Sequence, residues 1–210
     1  MTRRRWTIAV LVALAAATAS AANAQTDVAA SVYGAFSGTV NGNGVTQSPS
    51  NQAGVLVELH HQSNPLLGYE VTYAWNRADQ NYSEEVVCPG NPVPTCNVVG
   101  PANKFVPANA HEVTADYEVS AHILNLRPFL LAGGGILFNQ PAGSQNGAQS
   151  QTKGVLVYGG GVDWAVLPHL GIRGQYRGNV YKAPQLATAY SSTGAFFHTA
   201  EPMLGAYFRF

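Results

Sequence analysis

Apolar and polar residues alternate with period two in eight segments, and the seven connections between those segments run long, short, long, short without exception. The segments are Asp27–Val40, Gly54–His61, Gly68–Tyr82, His111–Ser120, Arg127–Phe138, Lys153–Val166, Leu170–Lys182 and Ala195–Phe210. Period two, bounded by Gly, Pro, Asn and Ser clusters, marks β-strands. Asn41–Ala53, Ser83–Ala110, Asn139–Thr152 and Ala183–Gly194 are the long connections; Gln62–Leu67, Ala121–Leu126 and Leu167–His169 are the short ones. An even set of antiparallel strands with short turns at one end and long loops at the other is the plan of a transmembrane up-and-down barrel. A soluble sandwich or lipocalin-like barrel has no reason to sort its loops by length. The predicted fold is therefore all-β, an eight-stranded antiparallel up-and-down transmembrane β-barrel over residues 25–210.

The faces are consistent with this plan. Val113, Ala115, Tyr117 and Val119 alternate with Glu112, Thr114, Asp116, Glu118 and Ser120, and Leu170, Ile172, Tyr176 and Val180 with Arg173, Gln175, Arg177 and Asn179. Alternation alone does not separate a soluble barrel from a membrane one, because both have one apolar and one polar face. The aromatics add the second criterion. Tyr69, Tyr117, Trp164, Phe208 and Phe210 fall near the short-turn end of the apolar face, and Trp75 and Phe196 near the long-loop end, two levels that match interfacial girdles. The last strand puts Leu204, Ala206, Phe208 and Phe210 on one face and Gly205, Tyr207 and Arg209 on the other. An aromatic final residue is rare at a soluble chain end, where polar, frayed residues prevail. It suits a closing strand that must pair with the first.

The N-terminus reads as an export signal: basic Arg3, Arg4 and Arg5, an apolar run Trp6–Ala22, and the small–x–small pattern Ala22-Asn23-Ala24. At about 17 residues the run is at the short edge of a spanning helix, and polar Gln25, Thr26 and Asp27 follow at once. Cleavage after Ala24 is expected, giving domains of 1–24 (signal peptide) and 25–210 (barrel). Loss of the three arginines lowers Lys plus Arg from 11 to 8 against 11 Asp plus Glu, a formal charge of −3. That balance offers no basic footprint for nucleic acid. Mean hydropathy is −0.01, as expected when lipid-facing and lumen-facing residues average out. Cys88 and Cys96 bracket Pro89, Pro92 and Pro94 in a connection; in an exported chain a local disulfide is expected there, and a metal site would need further ligands nearby. The triplets Gly133–Gly135 and Gly159–Gly161 lack the Lys-Ser/Thr of a phosphate loop; instead, residues 134 and 160 are expected to face each other across the Asn139–Thr152 connection.

With the signal peptide, the loop alternation, the aromatic C-terminus and the strand Arg127-Pro128-Phe129-Leu130-Leu131-Ala132-Gly133-Gly134-Gly135, the chain resembles the small eight-stranded outer-membrane barrels of the OmpA/OmpX and opacity-protein type, the outer membrane protein beta-barrel domain. The resemblance covers about residues 26–210. It implies a bacterial outer-membrane protein, porin-like in architecture, with roles in adhesion, surface interaction or envelope integrity, and no single activity. Tyr207, Phe208 and Phe210 then resemble the C-terminal signal that addresses such chains to the barrel-assembly machinery. Long loops are expected outside the cell and both termini in the periplasm.

Eight strands leave an interior just wide enough for side chains to fill. Glu58, Glu70, Glu112, Asp116, Glu118 and Asp163 are expected to plug it with Arg173, Arg177 and Arg209, Asp116 meeting Arg177 at mid-height and Glu70 and Glu118 meeting Arg173. Glu201 adds a further carboxylate, so acids outnumber bases. The function expected is non-enzymatic, with no catalytic, cofactor or metal site: a structural envelope barrel, or one that binds a surface ligand through Ser83–Ala110. Its partners would be outer-membrane lipid and lipopolysaccharide, and the barrel a monomer. The alternatives are a small gated ion-conducting barrel and a lipid A-modifying enzyme. For the latter His198, Thr199, Ser191 and Ser192 are the available groups, but Ala200 stands where a deacylase nucleophile would be. His60, His61, His122 and His169 fall at or beside short turns and could ring one mouth; ordinary turn histidines are the other reading, while His111 and His198 fall at the opposite rim. The protein should fractionate with outer membranes and migrate faster on gels unheated than boiled; a soluble periplasmic protein with one mobility would refute the fold.

Overall fold

The computed structural model describes residues 25–84, 103–143 and 146–210, which form twelve strands and no α-helix. The expected signal peptide and the Cys88–Cys96 pair lie outside these residues. In chain order the strands are β1 (Gln25–Ser37), β2 (Val40–Gly42), β3 (Val45–Pro49), β4 (Gln52–Gln62), β5 (Leu67–Arg77), β6 (Gln80–Glu84), β7 (Asn103–Val106), β8 (Ala108–Ser120), β9 (Leu126–Pro141), β10 (Gln151–Ala165), β11 (Leu170–Lys182) and β12 (Phe196–Arg209). Eight of them close in the order β1-β12-β11-β10-β9-β8-β5-β4, every neighbouring pair antiparallel.

Closure satisfies the backbone. The seam pairs Asp27 with Arg209 and Val28 with Phe208, and the Phe210 N–H donates to the Thr26 carbonyl at 3.0 Å. No barrel strand is left with an open edge, the condition for a sheet to sit in hydrocarbon. The period-two code then sorts the side chains. Val32, Val57, Val71, Leu130, Leu156, Ile172 and Leu204 form an exposed aliphatic wall, and Asp27, Glu58, Glu70, Asp116, Arg173 and Arg177 turn inward.

The long-loop end departs from the expected irregular connections. The segments Asp27–Val40 and Gly68–Tyr82 each break, β1 ending at Ser37 and β5 at Arg77, and β2, β3, β6 and β7 build a separate four-stranded antiparallel sheet in the order β2-β3-β6-β7. The alternation continues through both breaks, so its period does not mark where the chain leaves the barrel. Asp79 fixes the second junction: its carboxylate accepts from the Ala108 N–H at 2.9 Å, and its carbonyl accepts from the Ser50 N–H at 2.9 Å.

This second sheet caps the barrel. Val45, Tyr82 and Val106 pack with Ala108, and with Leu186, Ala187 and Tyr190 from the connection before β12. The Tyr82 hydroxyl donates to the Pro184 carbonyl at 2.8 Å and accepts from the Leu186 N–H at 2.9 Å; burial pushes its pKa up to about 12, so it remains a donor at neutral pH. Buried Gln47 donates to the Pro184 carbonyl at 2.8 Å and to Gln80 Oε1 at 2.9 Å. These bonds satisfy polar groups that the cap would otherwise bury bare.

The glycine triplets do not face each other. Gly134 pairs with Leu156 and Gly160 with Leu130, a register four residues away from the expected pairing. β9 runs on to Pro141 while β10 begins at Gln151, so the turn is centred nearer β9 than the glycine spacing suggests. The glycines serve close approach instead. A Cβ on Gly135 would meet the Val113 carbonyl and the Thr114 Cα of β8, and one on Gly161 the Phe129 ring. Gly135→Ala should therefore cost about 1–3 kcal/mol in urea unfolding followed by loss of the fast-migrating folded band. Gly174→Ala, where a Cβ meets nothing within 4 Å, should stay near wild type.

Candidate functional site

The barrel interior concentrates the charged residues. Arg173 and Arg177 stand two pleat repeats apart on the inward face of β11, with Gln175 between them, both fully shielded from solvent. Arg173 donates through Nε to Asp163 Oδ1 at 2.7 Å and through Nη2 to Asp163 Oδ2 at 2.9 Å, a bidentate fork. Its Nη1 lies 3.3 Å from Glu58 and 3.4 Å from Glu70, and its Nη2 4.0 Å from Glu118. Its guanidinium also stacks on Phe129, 4.9 Å from the ring centroid. Arg177 reaches Asp116 at 3.2 Å, Glu70 at 3.5 Å and Glu112 at 3.8 Å, and donates to Thr114 Oγ1 at 2.8 Å. Two guanidinium groups thus bridge β4, β5, β8, β10 and β11 across the lumen. Ion pairs in so dry a place hold only where several partners converge on each cation.

Arg209 stands apart from this network. It is half-buried over the Tyr207 ring at 5.3 Å, with no ion pair among the described residues. Arg127, Gln62, His60 and Asp27 join the network although they were not among the expected plug. Arg127 donates to Asp163 at 2.6 Å and to Gln62 at 2.8 Å, and lies 3.5 Å from Glu118. His60 sits between two carboxylates, Nδ1 3.1 Å from Asp27 and Nε2 3.4 Å from Glu118. Nδ1 makes the hydrogen bond, to Asp27, while Nε2 only approaches Glu118 without forming one. Gly68 makes room for the ring, since a Cβ there would meet His60 Nε2. Parity held the signal: Arg127 shares its face with Phe129 and Leu131, and His60 with Glu58. The interior is also not polar throughout. Phe129, Leu131, Leu137, Val155 and Val157 form one inward apolar cluster, and Tyr33, Leu56, Ala74 and Met203 belong to another.

The short-turn histidines form no ring. His60 is luminal, His61 pairs with Thr26 Oγ1 at 3.0 Å on the outer side, and His169 lies 3.1 Å from the Arg209 carbonyl, stacked on Phe208. At the other rim His111 and His198 lie 2.8 and 2.7 Å from the hydroxyls of Tyr73 and Tyr158 on the outer wall. Ser192 lies in the cap connection, where its hydroxyl accepts from Gly194 N–H at 3.3 Å. Of Ser83–Ala110, residues 85–102 lie outside the described set; its two ends supply β6 and β7. Tyr207 turns into the lumen, whereas Phe208 and Phe210 face outward.

Arg173→Met removes the cation from Asp163, Glu58 and Glu70 together. It should cost about 3–5 kcal/mol in urea unfolding, with Arg173→Lys recovering only part because it lacks the fork. A loss below about 0.5 kcal/mol, the range of an ordinary surface change, would show that the network adds nothing to stability.

Comparison with known proteins agrees with this architecture. OprG, an outer membrane protein from Pseudomonas aeruginosa, superposes with a TM-score of 0.59 at 10% identity, covering 89% of this chain and 95% of its own. Neisserial surface protein A superposes with a TM-score of 0.52 at 14% identity, covering 89% and 97%. No curated protein matched in sequence. The model of the family described as "Outer membrane protein beta-barrel domain" matches residues 7–208. Spanning nearly the whole chain, that match makes this protein a member of the outer membrane protein beta-barrel family, resident in the bacterial outer membrane.

Proposed function

We propose that the protein is a closed, non-enzymatic outer-membrane barrel that acts through its cap, as a structural element of the envelope and as a surface for contact or adhesion. The observation that carries this reading is the complete burial of Arg173 and Arg177 in mid-lumen, each held by carboxylates of several strands. A pore that conducts needs a wet path past its charged groups, and here the charges bond to one another. With the lumen occupied, the cap is the part of the molecule free to meet a partner. It is a folded layer with its own core, so binding would order little chain and lose little entropy.

In this reading the cap faces outward and the short turns face the periplasm. The aromatic outer wall meets membrane lipid and lipopolysaccharide. Phe208 and Phe210, with Tyr207 beside them, are read by the assembly machinery before the seam closes. The signal peptide over residues 1–24 brings the chain to the periplasm, the barrel works as a monomer, and a Cys88–Cys96 disulfide stiffens the longest connection.

In planar bilayers the wild type should stay closed, and Arg177→Ala should show open bursts. A wild type that conducts steadily would favour the ion-conducting alternative. An epitope inserted after Asn43, in the β2–β3 turn, should be stained on intact cells, and one inserted after Leu124 should not. Deleting residues 88–96 should reduce adherence of expressing cells, and unchanged adherence would leave the envelope role alone.

A further inference from the structure

We infer that the cap end of the lumen is a binding site for a hard divalent cation of the Ca²⁺ type, held by Glu112 and Glu201 with the carbonyl oxygen of Asn179. Glu112 comes from β8, Asn179 from β11 and Glu201 from β12, and all three line one cavity of ≈ 30 Å³ beneath Arg77 and Gln80 at the barrel rim. That space suits an ion with one or two waters and excludes an organic cation.

Hydrogen bonding identifies what is missing. Asn179 donates through Nδ2 to both oxygens of Glu112, at 3.0 and 3.2 Å, which leaves Oδ1 with no protein partner although the residue is only 1% exposed. Glu201 Oε2 is likewise without a protein partner at 5% exposure. Both bare atoms are acceptors, and acceptors cannot satisfy each other. Charge gives the same answer. Arg177 is the cation nearest Glu112, at 3.8 Å, but it already pairs with Asp116 at 3.2 Å and Glu70 at 3.5 Å. Glu201 has no ion pair among the described residues. Its hydrogen-bonding neighbour is Asn179, which leaves one carboxylate oxygen bare; burying such an oxygen is costly, and a bound cation removes that cost.

The donor set selects the ion class. Among the described residues no group of three His, Cys, Asp or Glu side chains suited to a metal occurs, so the site rests on two carboxylates completed by neutral oxygens. Carboxylate and amide oxygens, with the Thr199 hydroxyl and water to complete the shell, suit Ca²⁺, which accepts six to eight oxygens in flexible geometry. The unpartnered amide nitrogen of Asn139, on the same cavity wall, can donate to such a water. Entry lies past the rim pair Arg77–Asp79, where the Arg77 side chain is 44% exposed.

The rival arrangement is a proton retained on Glu201 in place of the ion. Full-length mature barrel, refolded in lipopolysaccharide-free detergent and treated with chelator, distinguishes them. Added Ca²⁺ should raise the thermal unfolding midpoint above that of a NaCl control at equal ionic strength. Tb³⁺ should bind with luminescence sensitised by the neighbouring Tyr33 and Tyr181. Glu201→Gln should abolish the Ca²⁺ shift and weaken Tb³⁺ binding at least tenfold. This variant is the informative one, because Glu201 has no ion pair to lose and its barrel should refold. Glu112→Gln should do the same where it folds. A wild-type midpoint equal in Ca²⁺ and NaCl, or a Ca²⁺ shift that survives Glu201→Gln, would overturn the site.

Discussion

Every backbone N–H and C=O of a strand that crosses lipid must find a partner in the protein, since hydrocarbon supplies none. The seam between β1 and β12 is where this chain meets that demand, and the rest of the structure follows from it. Eight strands closed at that seam enclose a lumen just wide enough for side chains to fill. Side chains must fill it. The inward positions carry many carboxylates, so the filling has to be an ionic network. Arg127, Arg173 and Arg177 each serve several acids at once because three guanidinium groups face more carboxylates than they can pair singly.

The same scarcity of cations explains how the lumen is divided. Near the turn end, Arg127, Arg173 and His60 gather Asp27, Asp163, Glu58 and Glu118. At mid-height Arg177 holds Asp116 and Glu70. At the cap end cations thin out: Glu112 has Arg177 only at 3.8 Å and accepts from Asn179, and Glu201 has no ion pair among the described residues. Apolar clusters on β9–β10 and on β1, β4 and β5 fill the intervals between charged groups. The barrel is thus least compensated where it opens towards the cap.

Most of the barrel was legible from the chain because one physical rule, period two under a closed sheet, fixes strand number, order and the facing of each residue. The pairing of Arg177 with Asp116 needs only that rule and an estimate of height. Register across a long connection was not legible. The two glycine triplets invite a symmetric pairing, yet Gly134 lies five residues before Asn139 and Gly160 eight after Thr152, and the strands pair about the middle of the connection rather than the glycines. The cap was hidden for a different reason: β6 keeps the alternation of the barrel strand it follows, β3 lies in a connection that reads as irregular, and only three-dimensional contact such as that between Tyr82 and Leu186 reveals a second sheet. His60 was obscured by its nearness to a turn, although its parity with Glu58 points inward.

The cap sheet is assembled from two different connections, β2–β3 from one and β6–β7 from the next, joined through the β3–β6 ladder, a shared core and bonds such as Ser50 N–H to the Asp79 carbonyl. Surface loops on such barrels are commonly free to diverge one by one. Here they are not. A change at Val45 must suit Tyr82, and one at Gln47 must suit Gln80 and Pro184. The opposite sheet face is freer at Thr46 and Phe105, although Asn81 still donates to the Ser48 carbonyl and to Ser50 Oγ. Sequence variation between relatives that share this cap should therefore concentrate on that face, leaving a frame whose outer decoration can change while the two connections drift only as a pair.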